Sequence, residues 1–129
     1  MAEPGPRISQ SPFAEEVDPI IVKQENGLVK FYFYTKDHEF GGLIPALSKS
    51  LSVRREDQPR PVWEIEGVVL GEGVHEITYG EVPRGFRQKR PNQGSTAPAL
   101  QAGARYVVIG TVRSLGAATF MYQPAAPSN

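Results

Sequence analysis

Apolar and polar residues alternate with a period of two through most of this chain, and no stretch shows the three-to-four-residue spacing of an amphipathic helix. The clearest alternating segments are Ile20 to Glu25 and Leu28 to Lys36, which flank Asn26-Gly27. An Asn-Gly pair adopts the positive φ that both central positions of a type I′ turn require, so a two-residue hairpin is predicted. Its register sets Glu25 against Leu28, Val22 against Phe31 and Ile20 against Phe33, which gathers apolar side chains on one face. The opposite face carries Lys23, Lys30, Tyr32, Tyr34 and Lys36, a tyrosine stripe edged by lysines and suited to a protein partner.

Alternation resumes at Ser50 to Arg55, with Leu51 and Val53 on one side, and at Pro61 to Glu66, which turns Trp63 and Ile65 inward and Glu64 and Glu66 outward. His75 to Gly80 places His75, Ile77 and Tyr79 on one face, with His75, at the strand end beside Glu76, expected as a half-exposed structural histidine. Arg105 to Val112 is strongly β-branched, and Ala117 to Gln123 returns from it as a C-terminal hairpin. Between these segments, residues 37–49 read as a connection containing Gly41-Gly42 and Pro45, and residues 82–103 have almost no periodicity. A loop of about 20 residues in a compact domain either packs on itself or carries function, so it is the main functional suspect. The first nineteen residues, with Pro4, Pro6, Pro12 and Pro19, read as a flexible leader, and 124–129 as a short tail.

Seven strands joined by turns give one all-β domain over residues 20–123, and a seven-stranded antiparallel sandwich of the immunoglobulin or fibronectin kind is expected. A small barrel would need a similar count. The sandwich is favoured by Leu100 and Gly103 ahead of Tyr106, where a leucine and a turn glycine precede a tyrosine at the start of the penultimate strand. That spacing resembles the tyrosine corner of fibronectin type III domains, whose hydroxyl bonds an upstream backbone group. In the same region the run from Thr78 through Tyr79, Gly80, Glu81, Val82, Pro83, Arg84 and Gly85 to Phe86, followed by Pro98, Leu100, Gly103 and Tyr106, resembles a family of small bacterial proteins of unknown function. Many members of that family are envelope proteins or lipoproteins. The likeness runs from Ser50, through Trp63, to Phe120, and is sharpest in the Tyr-Gly-Glu-Val-Pro-x-Gly-Phe block. It implies a fold more than a function, and this chain has no cysteine to carry a lipid.

With 129 residues, one core is expected, and 13 Gly with 12 Pro favour turns over helices. No apolar run reaches the roughly 20 residues of a membrane helix, and the start lacks the regions of a signal peptide, so the chain as written is expected to be soluble. The bacterial envelope is the expected compartment if a signal has been removed, and the cytoplasm otherwise. Absence of cysteine excludes disulfides, thiolate metal sites and cysteine nucleophiles. Net charge is zero, yet residues 1–81 hold eight basic and fourteen acidic side chains, while 82–129 hold six basic and none acidic.

Little here qualifies for catalysis. No nucleophile elbow, phosphate loop, dinucleotide fingerprint or His-Glu-x-x-His helix occurs, and neither a cofactor nor a metal is expected. An enzyme or metal-dependent protein would have to bring His38, His75 or Glu81 together in a pocket. His38 lies between Asp37 and Glu39, but neighbours on an extended chain point to opposite sides. The stretch with Arg84, Phe86, Arg87, Lys89 and Arg90 is the candidate for an anion or nucleic acid, by pairing phosphates and stacking a base. Phe86 tucked against the sandwich, with its cations in water, is the structural alternative, and strong nucleic-acid binding is not expected. The leading expectation is a non-enzymatic binding or structural module that meets an unidentified protein partner, with Trp63, Tyr79 and Tyr106 as structural residues.

Overall fold

In the computed structural model, which describes residues 18–68, 73–112 and 115–124, Asn26 and Gly27 take φ of 52° and 80°. They join β1 (Asp18–Glu25) to β2 (Leu28–Lys36). Ile20 faces Phe33, Val22 faces Phe31 and Glu25 faces Leu28, the register expected from the sequence. Ile20, Val29, Phe31 and Phe33 are buried as a result.

The further strands are β3 (Leu43–Pro45), β4 (Ser50–Arg55), β5 (Pro61–Gly67), β6 (Glu76–Thr78), β7 (Phe86–Arg90), β8 (Arg105–Thr111) and β9 (Leu115–Met121). They form a mixed, open sheet in the order β3-β2-β1-β9-β8-β4-β5-β7. β6 also pairs with β2, along Lys30–Tyr32, while β3 takes the next stretch, Tyr34–Lys36. The described residues contain no helix and so none long and apolar enough to cross a membrane.

Two expectations need correction. Nine strands are present among the described residues instead of seven, because β3 lies within the connection 37–49 and β7 within the stretch expected to be a loop. β3 escapes a periodicity reading because it has three residues and ends in proline. β7 escapes because its inward position is Gln88, a polar residue. The sheet is also not wholly antiparallel, since Asp18 and Pro19 run parallel to Gly116 and Ala117 of β9. These two residues were expected in the leader. They start a strand where the missing N–H of proline is tolerated. The rest of the leader and residues 125–129 of the tail lie outside the described residues.

β1 and β9 are tied a second time by a side chain. Gln24 Nε2 donates to the Met121 carbonyl at 2.9 Å, and its Oε1 accepts from the Gln123 N–H at 2.8 Å. The carboxamide thus supplies the donor and acceptor that a neighbouring backbone would.

The core forms where β1 and β2 meet the strands from β4 to β9. Leu51, Val53, Trp63, Ile65 and Val108 are fully enclosed with Phe31 and Phe33. Phe31 meets Phe120 edge-on at 5.8 Å, and Tyr106 stacks on Phe120 at 5.6 Å. Packing is tight at Gly110, where a Cβ would stand 2.9 Å from Phe33 Cε1 and 3.0 Å from Ser48 Oγ. Only a residue without a side chain lets β8 pass beneath β2 at that distance.

Candidate functional site

The hairpin that buries Phe31 and Phe33 must turn Tyr32 and Tyr34 to the opposite face, since successive strand residues alternate. There they flank His75, with ring centroids 5.9 Å and 5.2 Å from it, both edge-on. His75 Nδ1 lies 3.3 Å from the Ala46 carbonyl. Lys23 Nζ sits 5.1 Å from the Tyr32 ring centre, a cation–π contact, and Lys30 pairs with Glu76 at 3.9 Å. Ile21, Leu28 and Leu43 share this face by register and are exposed. His75 is half-exposed, as expected of a histidine at a strand end, but it does not share the face of Ile77 and Tyr79. Ile77 is enclosed and Tyr79 packs on Trp63 at 5.0 Å, but His75 precedes β6, where strand alternation does not yet apply, and joins the tyrosines.

A second region is built from the block Tyr79 to Phe86 and the segment behind it. Trp63 Nε1 donates to Gln88 Oε1 at 2.7 Å in the interior. Gln88 Nε2 donates to the carbonyls of Pro91, Asn92 and Ser95 at 3.1, 3.1 and 2.8 Å. Tyr79 Oη donates to the Pro98 carbonyl at 2.7 Å, and the Gln101 N–H donates to Tyr106 Oη at 2.9 Å. Three polar side chains thus hold residues 91–101 against the sheet, which explains how so long an aperiodic segment packs. Burial pushes the Tyr79 phenol well above its ordinary pKa, and the neighbouring Tyr106 adds to the rise. The upstream bond expected of Tyr106 is present, with the hydroxyl as acceptor.

The basic stretch is not a free loop. Arg87, Lys89 and Arg90 lie on or beside β5 through β7 pairing. Arg87 binds Glu66 at 2.7 Å, Lys89 lies 3.7 Å from Glu66 and 4.0 Å from Glu64, and Arg90 lies 3.6 Å from Glu64. The Arg87 hydrogen bond holds the Glu66 carboxyl below its usual pKa; burial opposes this and Lys89 reinforces it. Phe86 is half-buried and packs against the core. Arg84 is exposed and has no ion pair among the described residues. A groove of about 510 Å³ opens beside this strand, lined by Val82, Phe86, Arg87, Ser95 and Thr96 among others.

His38, His75 and Glu81 occupy different places: the turn after β2, the tyrosine face, and the exposed turn after β6. No hydrogen bond or ion pair joins any two of them among the described residues. Sequence reasoning missed Gln88, whose only signal was a polar residue midway between Phe86 and Arg90. It also missed the exposed apolar run of Phe40, Leu43, Ile44 and Leu47, hidden in a segment read as a connection. Comparison of the chain with models of known protein families finds no match, and no curated protein matches it.

Proposed function

We propose that this chain is a non-enzymatic binding or structural module with an immunoglobulin- or fibronectin-like sandwich, and that it meets a protein partner through the outer face of β1, β2, β3 and β6. The observation that carries this reading is the edge-on packing of Tyr32 and Tyr34 on His75. Rings held this way offer broad amphipathic area with little freedom left to lose on binding. Exposed Ile21, Leu28 and Leu43 extend the apolar area, and Lys23, Lys30 and Lys36 form a polar rim of the kind that surrounds protein interfaces. The sandwich assignment is supported by the inner faces of β2, β5 and β8 meeting in one core and by the Gln101 to Tyr106 bond.

By contrast, three of the four cations in the basic stretch are engaged by Glu64 and Glu66, which supports the expectation of no strong nucleic-acid binding. The test is quantitative co-purification from the source cells. A protein recovered in near-equal amount with the wild type should be lost with Tyr32→Ser/Tyr34→Ser and kept when Arg84, Arg87, Lys89 and Arg90 are all serine, with melts showing that both variants fold. Recovery unaffected by the tyrosine changes would rule this face out.

A further inference from the structure

Phe40 is the most exposed large apolar side chain among the described residues, at 82%, yet the turn that carries it is firmly built. Asp37 Oδ1 accepts from the N–H groups of Glu39 and Phe40 at 3.0 and 3.3 Å. The Asp37 carbonyl accepts from the Gly41 N–H at 2.8 Å, and the Asp37 N–H donates to the Gly42 carbonyl at 3.0 Å. Gly41 and Gly42 supply the φ of 83° and 81° that the turn needs. An aromatic ring held in water on so ordered a tip is costly to leave exposed and loses little freedom when another molecule covers it, as an interface anchor does. Next to it Glu39 is exposed, with no ion pair among the described residues.

The groove beside Phe86 has the complementary character. Val82 and Phe86 give it apolar walls, Arg87 lines it, and exposed Arg84 lies two residues from Phe86. Residues 37–42 carry two acids and no lysine or arginine, whereas residues 80–90 carry four cations and one acid, Glu81. Glu64 and Glu66 take up Arg87, Lys89 and Arg90, which leaves Arg84 to meet a charge from outside. The two features also lie at opposite ends of β2. The groove shares Gly80 and Thr96 with a smaller cavity against Gly27 and Leu28, while the Phe40 tip follows Lys36. The eight rises along this nine-residue strand separate them by about 26 Å at ~3.3 Å per rise, so the tip does not reach the groove of its own molecule.

We propose a head-to-tail contact between two copies of this chain, in which Phe40 of one copy enters the groove of the next between Val82, Phe86 and Arg87, and Glu39 meets Arg84. Because tip and groove are different surfaces, the contact is heterologous, and each added copy leaves one tip and one groove free until a ring closes. It uses none of the tyrosine face, so either proposal stands or falls without the other.

Sedimentation velocity of the purified chain over a range of concentrations tests it. The sedimentation coefficient should rise with concentration at low salt and fall towards the monomer value as salt screens the Glu39–Arg84 pair. Phe40→Ser, Glu39→Arg and Arg84→Glu, all at exposed positions, should each remain monomeric with unchanged melting. Glu39→Arg combined with Arg84→Glu should associate again. A mixture of Phe40→Ser and Arg84→Glu should stop at a dimer, because it offers one intact groove and one intact tip. A wild type that stays monomeric at every concentration, or an association that survives Phe40→Ser or Arg84→Glu, would overturn the proposal.

Discussion

Replacing Gln88 with leucine tests whether one buried carboxamide holds the segment after β7 in place. Gln88 is 8% exposed, and its amide hydrogens serve three carbonyls while its oxygen takes the indole N–H of Trp63. With two hydrogens for three acceptors, one bond is shared, so the net donation is worth two hydrogen bonds, about 0.5–1.5 kcal/mol each. The carbonyls of Pro91, Asn92 and Ser95 lie near the surface and regain water when the amide is gone. The indole N–H belongs to a fully enclosed residue and does not, which costs about 1–3 kcal/mol. Better burial of a leucine offsets part of this, leaving a loss of about 2–4 kcal/mol, large against the stability of a small domain. Urea melts should show a lower midpoint at unchanged slope. Trp63→Phe removes the same N–H, so the double variant should cost about 1 kcal/mol less than the two singles together. A loss below about 0.5 kcal/mol for Gln88→Leu, or strict additivity, would refute the reasoning.

Three further outcomes are expected. Tyr106→Phe keeps the ring stacked on Phe120 and loses only the bond from Gln101, so the same melts should fall by about 1 kcal/mol; an unmoved midpoint would deprive that bond of its structural role. Gly110→Ala forces a methyl against Phe33 and Ser48 and should cost about 1–3 kcal/mol, whereas a neutral result would mean that β2 and β8 separate freely. Because the Tyr79 phenol is held above its ordinary value in the folded chain, its contribution is fully present below a pH of about 10 and is lost as pH rises towards the folded value. The stability advantage of wild type over Tyr79→Phe should therefore shrink above that pH, and a constant difference would contradict the burial that raises this group.

How much was legible in the chain depended on whether a strand announced itself by an apolar inner face. Asn26-Gly27 fixed the first hairpin to the residue, and Leu51, Val53, Trp63 and Ile65 turned inward as their alternation required, because each of these positions has an oily side chain at every second residue. β3 and β7 lack that mark. β3 is held by three residues of backbone pairing on the edge of β2, and proline at its end limits what else can add there. The parallel pairing of β1 with β9 was not readable at all, since it depends on where two distant ends of the chain arrive rather than on any local preference.

The same physics decides what became of the candidate sites. Tyr32 and Tyr34 were visible as an outward stripe, but the residue that packs between them, His75, comes from another segment, and strand parity, which marked it only as a half-exposed strand end, could not place it with the tyrosines. For Arg84, Phe86, Arg87, Lys89 and Arg90, sequence alone left a choice between a basic loop reaching for phosphate and a packed segment with solvated charges. Gln88 settles which conformation the backbone takes: its side chain is drawn inward by Trp63, so Phe86 follows to the core and Arg87 and Lys89 are presented across β5 to Glu66 and Glu64. An unpaired loop would leave all four cations free, whereas a paired strand leaves Arg84. A polar inner residue that concealed the strand from a hydrophobic pattern is therefore also what converts a diffuse positive stretch into a groove beside which, among the described residues, Arg84 is the one guanidinium of the stretch without an ion pair.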